Sequence, residues 1–257
     1  MHFSDINVTV MCRLFLILLD KYLVTVRIAR RRIVIYRNAV ANIVKSSWAK
    51  DINAECITTA MKKKDLEIAL EMLEPISGPD ASLEQYPTPA TVVADIVFEA
   101  YRNGDVAGMK VLDLGCGNGV FAIAAALMGA ETSLGYDISE KAVLTARKNA
   151  LSAGVDSVFF VSDVKNVNEG ADTVFMNPPF GCQNRNADRP FLDRAMDLSE
   201  CVYSMHKAET TDFVIKYCEK RGRKASLCKI YKYDIPHTFE FHRETKRSIE
   251  IAVVNIR

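Results

Sequence analysis

The sequence lacks the cysteine patterns that are typical of disulfide-rich domains and of zinc sites. Its 257 residues include seven cysteines, an odd number, and no two of them form a C-x-x-C pair. Disulfide frameworks need paired cysteines, and structural zinc sites commonly use closely spaced ones. We therefore predict no metal site and a reducing, cytoplasmic setting.

A hydrophobic run long enough to cross a membrane is missing as well. The apolar stretch at residues 8–19 is interrupted by Arg13 and falls short of the roughly 20 residues that a spanning helix needs. It is not followed by a clear small-residue cleavage site, which a secretory signal requires. We predict neither a membrane span nor a signal peptide.

No excess of one charge marks the chain as a whole, whose formal net charge is +1. Residues 1–60 hold 9 Lys and Arg against 4 Asp and Glu, a net of +5, which leaves 24 against 28, or −4, for residues 61–257. A nucleic-acid-binding face on the larger part must then be local or supplied by a partner. We predict that residues 1–60 are a loosely packed or non-native extension, and that residues 61–257 form the main domain.

The main domain contains a strand, a glycine-rich turn and a helix in succession. Residues 109–114 read as a strand, residues 113–119 contain three glycines, and residues 120–127 read as a helix. Such a turn lets a nucleoside approach the backbone closely, and it also occurs in dinucleotide-binding oxidoreductases. The next strand ends at Asp137, whose carboxylate can accept hydrogen bonds from both ribose hydroxyls.

Two more strands, at residues 158–161 and 172–175, continue the alternation. Asp163, after the first of them, either accepts from an adenine amino group or caps the following turn. The alternation predicts an α/β fold, a Rossmann-like, seven-stranded and mainly parallel sheet with helices on both faces. The other predicted elements are helices at 64–73, 90–102, 139–153, 190–203 and 208–221, strands at 225–233, 239–242 and 248–254, and a mobile loop at 182–189.

The stretch Asn177-Pro178-Pro179-Phe180 follows the strand at 172–175 and would open onto the cleft at that strand's carboxyl end. The Asn177 side-chain oxygen and the Pro178 carbonyl are two acceptors, the second held in place by the fixed proline rings. Together they can hold a planar NH₂ group and direct its nitrogen at an electrophilic methyl, while Phe180 offers a flat face for the attached ring. The alternative is a proline-rich turn with Phe180 in the core.

These motifs resemble those of class I S-adenosylmethionine-dependent methyltransferases, and more narrowly those of the methyltransferase-like 5 family. The resemblance runs from about residue 62 to the end and rests on residues 83–88, 113–120, 135–137, 177–181, 203–207 and 233–236. That family methylates adenine N6 in small-subunit ribosomal RNA. The resemblance also implies a small zinc-binding activator subunit paired with the sheet edge. We predict direct methyl transfer to a flipped adenine, and a loop at 182–189 that is disordered without RNA.

The resemblance also implies roles for individual residues. Asn177, Pro178, Pro179 and Phe180 would be the catalytic residues that hold the target base. Gln85 and Thr88 would touch the methionine part of S-adenosylmethionine, Asp137 the ribose and Asp163 the adenine amino group. Gly115, Gly117, Asn118 and Val120 would line the cofactor loop, with Asn118 contributing its backbone. The candidates for phosphate contact are Arg185, Arg189, Lys207, His242, Arg243, Lys246 and Arg247.

Three other interpretations stay open at this point. A protein-glutamine methyltransferase uses a similar Asn-Pro-Pro tetrapeptide with Tyr in the last place, and Phe180 favours the nucleic-acid substrate instead. A catalytically inactive nucleotide-binding scaffold would keep the fold, although it would not need residues 177–180. A hydride-transferring oxidoreductase would share the glycine-rich turn and leave that stretch unexplained.

Overall fold

The computed structural model describes residues 61–80, 83–181, 186–236 and 246–257. The predicted extension at 1–60 and the predicted strand at 239–242 lie outside the described residues. Of the predicted mobile loop, residues 182–185 also lie outside them, while residues 186–188 form a turn and Arg189 already begins a helix. The domain boundary at residue 60 and the disorder of the loop therefore stay predictions.

The described chain forms six α-helices and seven β-strands. The helices are α1 (Lys63–Glu71), α2 (Ala90–Arg102), α3 (Val120–Leu127), α4 (Glu140–Ala153), α5 (Arg189–Leu198) and α6 (Thr211–Lys220). The strands are β1 (Lys110–Leu114), β2 (Thr132–Asp137), β3 (Val158–Val161), β4 (Thr173–Met176), β5 (Cys201–Lys207), β6 (Ala225–Pro236) and β7 (Lys246–Ile256).

The strands form one sheet in the order β3-β2-β1-β4-β5-β7-β6. The first five are parallel, and β7 runs antiparallel to both β5 and β6. One hydrophobic core lies between the sheet and helices α1 to α4, and a second lies between the sheet and helices α5 and α6. The predicted seven-stranded, mainly parallel sheet with helices on both faces is thus confirmed.

The order of the strands creates a crevice between β1 and β4. From β1 the chain moves outward to β2 and β3, then returns to the other side of β1 to form β4 and β5. At such a switch point the connections leave in opposite directions, which opens a crevice at the carboxyl ends of the two strands. Gly115 follows β1 and Asn177 follows β4, so the two sequence motifs meet at this crevice.

The predicted helix at 190–203 is wrong in its last part. Helix α5 ends at Leu198, and residues 201–207 form β5, a strand that the sequence analysis missed. Residues 201–206 are all buried, because helices or neighbouring strands cover both sides of β5. A strand buried on both faces shows no alternation of polar and apolar residues. The buried polar residues Ser204 and His206 also interrupt the apolar run that would otherwise indicate a strand.

Strands β6 and β7 extend beyond the rest of the sheet as a two-stranded arm. The pairing of β5 with β7 stops at Lys207 and Ile251, whereas β6 and β7 stay paired as far as Pro236 and Lys246. These five further pairs correspond to roughly 17 Å at the usual rise per residue. Because β7 is antiparallel to β5, the arm projects from the edge of the sheet that holds the crevice.

Candidate active site

A cleft with a volume of about 520 Å³ lies at the carboxyl ends of the strands, where β1 and β4 diverge. Its walls are mainly apolar, with a few polar groups between them, as is usual for sites that bind small ligands. The structure brings all twelve predicted site residues to this one cleft: Gln85, Thr88, Gly115, Gly117, Asn118, Val120, Asp137, Asp163, Asn177, Pro178, Pro179 and Phe180. Their individual roles stay predictions.

The glycine-rich turn is held by local backbone hydrogen bonds. The Tyr136 carbonyl accepts from the amides of Gly115 and Cys116 at 2.8 and 3.0 Å. Gly119 has a φ of +86°, and a Cβ at this position would lie 2.8 Å from Phe159 Cζ. Only glycine fits this left-handed and crowded position, so the tight turn into α3 follows directly from the residue type.

Asp137 joins the turn to the strand beside it. Its Oδ2 accepts from the Gly117 amide at 2.9 Å and its Oδ1 from the Ser139 amide at 2.8 Å. Burial raises the pKa of Asp137, although both hydrogen bonds act in the opposite direction. A carboxylate oxygen can accept more than one hydrogen bond, so Asp137 can also receive hydroxyl groups of a ligand in the cleft.

Two buried groups under the turn have structural roles. Asp113 Oδ2 accepts from the Ala122 amide in the first turn of α3 at 3.1 Å, and burial raises the pKa of Asp113 to about 7. Burial also raises the pKa of the Cys116 thiol. The neutral thiol is a poor nucleophile, so Cys116 is an inert part of the wall.

Asp163 makes the local contact that the sequence left open as an alternative. Its Oδ1 accepts from the Lys165 amide at 2.9 Å and caps the short 3₁₀ helix Val164–Asn166. The same residue lines the cleft. Capping does not use every acceptor site of a carboxylate, so a contact with a ligand is still compatible with this geometry.

The Asn118 side chain forms a hydrogen bond with a segment that precedes the glycine-rich turn in the sequence. Its Nδ2 donates to the Glu74 carbonyl at 3.1 Å. Buried Asn149 donates to the carbonyls of both Glu74 and Asn118 at 3.0 Å and accepts from the Glu74 amide at 2.8 Å. These contacts fix the wall formed by Pro75 and Ile76 against the glycine-rich turn.

Asn177 is oriented by a residue far away in the sequence. Its Nδ2 donates to Thr88 Oγ1 at 2.9 Å. Its Oδ1 is buried and has no hydrogen-bond partner among the described residues. Buried polar atoms are nearly always paired in folded proteins, so an acceptor left open at a cleft indicates a ligand with a donor group.

Gln85 supplies a second open group in the same cleft. Its Oε1 accepts from the Asp80 amide at 2.9 Å, while its Nε2 is buried without a partner among the described residues. The cleft thus offers one unpaired donor and one unpaired acceptor. The donor suits a ligand with an acceptor such as a carboxylate, and the acceptor suits a ligand with an amino group.

Glu84 is a site residue for which the sequence predicted no role. The residue is 9% exposed, and its carboxylate accepts from the Phe180 amide at 2.7 Å. Its backbone φ is +51°, a left-handed value that is rare for residues other than glycine. No periodic pattern marks a residue in a proline-rich turn, so only the fold reveals this contact.

Phe191 from α5 is a second residue that the sequence analysis missed. It lines the cleft, and its Cε1 lies 3.0 Å from the position that a Cβ of Gly115 would occupy. The predicted helix at 190–203 contained Phe191, but only the packing of α5 against the sheet brings its ring to the glycine-rich turn.

A buried polar group lies on β5, near the turn that precedes α5. His206 Nε2 is 2.7 Å from Ser204 Oγ, and its Nδ1 is 3.7 Å from Asp188 Oδ2. Burial lowers the pKa of His206 to about 4, because the imidazolium form would lose its hydration. Burial also raises the pKa of Asp188, and the negative charge of Glu84 adds to this rise.

The predicted phosphate-contact residues have different surroundings. Arg189 lies over the Phe213 and Tyr217 rings, at 5.3 and 5.9 Å from their centroids, so it makes cation–π contacts within the protein. Lys207 ends β5 at the edge that holds the cleft. Lys246 and Arg247 are the first residues of β7 in the arm, and Arg185, His242 and Arg243 lie outside the described residues.

The described part of the chain lacks two further kinds of feature. It contains no helix that is long and apolar enough to cross a membrane. It also contains no group of three or more His, Cys, Asp or Glu side chains arranged to hold a metal ion.

Comparison with known proteins identifies the family. Residues 89–178 match the family described as ribosomal protein L11 methyltransferase (PrmA). An uncharacterized protein of Methanocaldococcus jannaschii is 39% identical over 211 residues, which are 77% of this chain and 94% of that protein. The rRNA N6-adenosine-methyltransferase METTL5 of Danio rerio is 34% identical over 205 residues, 77% of this chain and 98% of its own.

A solved structure supports the same family assignment. The crystal structure of a candidate RNA methyltransferase from Pyrococcus horikoshii superposes with a TM-score of 0.72 at 36% identity, covering 76% of this chain and 97% of that one. The family and fold class predicted from the motifs are therefore confirmed. The protein belongs to the methyltransferase-like 5 family of class I methyltransferases.

Proposed function

We propose that this protein is an S-adenosylmethionine-dependent methyltransferase that methylates the N6 amino group of an adenine in small-subunit ribosomal RNA. The observation that carries the proposal is the state of Asn177, whose Nδ2 is held by Thr88 while its buried Oδ1 is left open. The named relatives from Danio rerio and Drosophila melanogaster are rRNA N6-adenosine-methyltransferases, which supports the same substrate here.

The residues of the cleft fit S-adenosylmethionine. Its methionine part would meet Gln85, whose unpaired Nε2 is a donor for a carboxylate, and Thr88. Its ribose hydroxyls would donate to Asp137, and its adenine amino group to Asp163. When bound, the cofactor supplies an electrophilic methyl group on a sulfonium. The residues that would line it along the turn are Gly115, Gly117, Asn118 and Val120.

The acceptor side of the cleft orients the target amine. Asn177 Oδ1 and the Pro178 carbonyl would each accept one hydrogen of the amino group, which fixes the plane of the amine. Phe180 would stack on the adenine ring, and Pro179 keeps the turn rigid. Because the methyl donor is already activated, positioning is the main contribution that this chain has to make.

The amine of a paired adenine is not accessible to such a cleft. Enzymes that act on a base inside a helix extrude the nucleotide into a pocket, and unpaired or weakly paired bases need the least energy for this. We therefore propose that the substrate adenine is flipped out of a structured RNA before it contacts Phe180.

The arm formed by β6 and β7 is our proposed site of phosphate contact outside the cleft. It projects from the end of the sheet that holds the cleft. Three basic residues belong to its paired strands: Lys232, which is exposed, in β6, and Lys246 and Arg247 in β7. Tyr231 donates to Asp95 of α2 at 2.7 Å, which anchors the base of the arm. Replacing Lys246 and Arg247 by Glu should weaken RNA binding and reduce its dependence on salt concentration.

The outer strand β3, on the side of the sheet opposite to β6, supports the proposed activator partner. Edge strand β3 exposes Val158, Phe160 and Val161 at 48%, 41% and 51%, and Leu151 at the end of α4 is 75% exposed. A free edge with apolar side chains is a template for pairing with a strand of another chain. We propose that a small zinc-binding activator subunit adds a strand here.

The proposed compartment is the cytoplasm. The four cysteines among the described residues, Cys116, Cys201, Cys218 and Cys228, are all free thiols. Free thiols are expected in a reducing compartment, and this supports the cytoplasmic location expected from the cysteine pattern.

The test is transfer of labelled methyl from S-adenosylmethionine to ribosomal RNA that lacks the modification, with and without the activator. Wild type should yield N6-methyladenosine, and Asn177→Ala should transfer about 10² to 10³ times more slowly, since an oriented polar group at the reacting centre is lost. Asn166→Ala, which changes an exposed asparagine near the cleft, is the matched control and should behave as wild type.

Two outcomes would reject the proposal. Label recovered in a ribosomal protein and absent from RNA would identify a protein methyltransferase that uses the same cofactor site. Wild-type levels of N6-methyladenosine with Asn177→Ala would show that another group holds the amine.

A further inference from the structure

One short segment of the chain, residues 84–88, contacts both ends of the acceptor motif. Thr88 binds the Asn177 side chain across 89 positions of sequence, and Glu84 binds the Phe180 amide across 96 positions. Two prolines, Pro87 and Pro89, flank Thr88 and restrict its backbone. The acceptor motif is therefore oriented by a second, distant segment of the chain.

The Thr88 contact holds the Asn177 amide in one position. A threonine hydroxyl can pair with either end of an asparagine amide, and in this structure it accepts from Nδ2. With Nδ2 bound to Thr88 Oγ1, the end that is left open is Oδ1, an acceptor. The reversed amide would present an NH₂ group to a substrate NH₂ group, and neither could accept from the other.

The Glu84 contact fixes the other end of the motif. A charged oxygen that accepts from a backbone amide forms a stronger bond than a neutral one, and this bond is 2.7 Å long and partly buried. Glu84 holds this position with a left-handed backbone, φ +51°. Such conformations cost energy and persist where the surrounding structure fixes them, often at functional sites.

We propose that Thr88 and Glu84 are positioning residues for the target amine, Thr88 by holding the Asn177 amide with its Oδ1 open to the cleft and Glu84 by fixing the backbone of Phe180. The inference rests on the proposed function, because it assumes that Asn177 and Phe180 hold an adenine. It changes the main role of Thr88, which the family resemblance assigned to the methionine part of the cofactor. Both residues then act on the rate of transfer rather than on cofactor affinity.

The kinetic test separates these two roles. At saturating cofactor, Thr88→Val should transfer methyl about 10² times more slowly than wild type, whereas Thr88→Ser, which keeps the hydroxyl, should stay within about fivefold. Cofactor affinity, measured by calorimetry, should change less than about threefold in both variants. Thr145→Val, a threonine whose hydroxyl bonds within α4, is the matched control and should leave the rate unchanged.

Glu84 provides a second and independent variant in case Thr88→Val folds poorly. Glu84→Ala should reduce the transfer rate by about 10 to 30 times, and Glu84→Gln, which keeps an acceptor, should recover most of it. Glu131→Ala, at an exposed glutamate, is the control for loss of a carboxylate. Thermal unfolding of each variant checks that the folded state is retained.

A readout that does not need RNA distinguishes this proposal from the proposed function. In protein labelled with ¹⁵N-asparagine, the side-chain amide protons of Asn177, assigned with Asn177→Ala, should exchange with solvent at least about ten times faster in Thr88→Val than in wild type or Thr88→Ser. Unchanged exchange would overturn the role of Thr88. If wild type transfers no methyl to RNA, the proposed function fails, and the exchange experiment still decides whether Thr88 orients Asn177.

Two kinetic results would also overturn it. One is a Thr88→Val variant with weakened cofactor binding and a normal rate at saturation, which would return Thr88 to the cofactor site. The other is a Glu84→Ala variant with a normal rate, which would make the Phe180 contact structural only.

Discussion

The two sides of the cleft are built in different ways. On the cofactor side, the glycine-rich turn is held by Tyr136 and Asp137, about 20 residues away, and by the shape that Gly119 allows. On the acceptor side, Asn177 and Phe180 are held by Thr88 and Glu84, roughly 90 residues earlier. The contacts that hold the turn on the first side span about 20 residues of sequence, whereas those that hold the motif on the second side span about 90.

This difference predicts how each side responds to change. A local structure fails when its own residues are replaced, because its geometry comes from their conformational limits. A structure made by docking fails when any partner is replaced, including residues that never touch the substrate. The following predictions would break or sharpen this contrast.

The largest effect should come from Gly119→Ala on the cofactor side. The left-handed backbone costs about 1–2 kcal/mol for alanine, and the added Cβ, 2.8 Å from Phe159 and 2.9 Å from Ala146, adds about 1–3 kcal/mol. We expect the free energy of unfolding, measured in urea, to fall by about 4 kcal/mol.

Gly170→Ala is the matched control for that experiment. A Cβ at Gly170 would lie 3.7 Å from the Leu198 carbonyl oxygen, an ordinary contact, so its unfolding free energy should stay within about 0.5 kcal/mol of wild type. Equal losses for the two variants would contradict the close packing described for Gly119.

A slightly smaller effect should come from His206, in the buried group near the acceptor side. Its pKa is about 4 in the folded protein and about 6.5 when unfolded, so unfolding takes up a proton between these values. Above pH 6.5 the burial of neutral His206 therefore costs no folding stability. As the pH falls from 6.5 to 4, this burial lowers the free energy of unfolding by up to about 3 kcal/mol.

His206→Gln removes this titration and keeps hydrogen-bonding groups next to Ser204. The difference in unfolding free energy between wild type and variant should shift in favour of the variant as the pH falls from 7 to 4, while the titration of Asp188 affects both proteins. Parallel pH profiles for the two proteins would show that His206 is not buried as the neutral imidazole.

Asp137→Ala tests the cofactor side without the acceptor side. Losing the carboxylate removes the proposed hydrogen bonds to both ribose hydroxyls, so affinity for S-adenosylmethionine should fall about 10²-fold. Glu140→Ala, an exposed acid in the first turn of α4, should bind within about twofold of wild type. Calorimetry measures the affinity of both variants. Unchanged binding by Asp137→Ala would show that Asp137 does not contact the ribose.

The smallest effect should come from Asn118→Ala. The side chain binds the Glu74 carbonyl at 3.1 Å, so its loss should loosen the wall at Pro75 and weaken cofactor binding by about threefold. A loss as large as that of Asp137→Ala would instead mean that the Asn118 side chain contacts the cofactor directly.

Much of the fold could be predicted from the sequence because its signals are local. Helices α2 and α3 and strand β3 lie where the periodicity and the breaking residues put them, and α4 ends at the predicted Ala153, where Gly154 follows as a left-handed C-cap. Strand β5 could not be predicted, because burial on both faces removes the alternation that marks a strand, and the polar residues Ser204 and His206 interrupt the apolar run that made β4 predictable.

The candidate site divides in the same way. The sequence by itself determined the chemistry of the two motifs, since glycine, proline, asparagine and aspartate carry their conformational limits and donor sets with them. Only the tertiary structure decided that Glu84 and Thr88 hold the acceptor motif and that Phe191 covers Gly115. These contacts depend on how separate elements dock, and docking is set by the packing of the whole core rather than by the identity of any neighbouring residues.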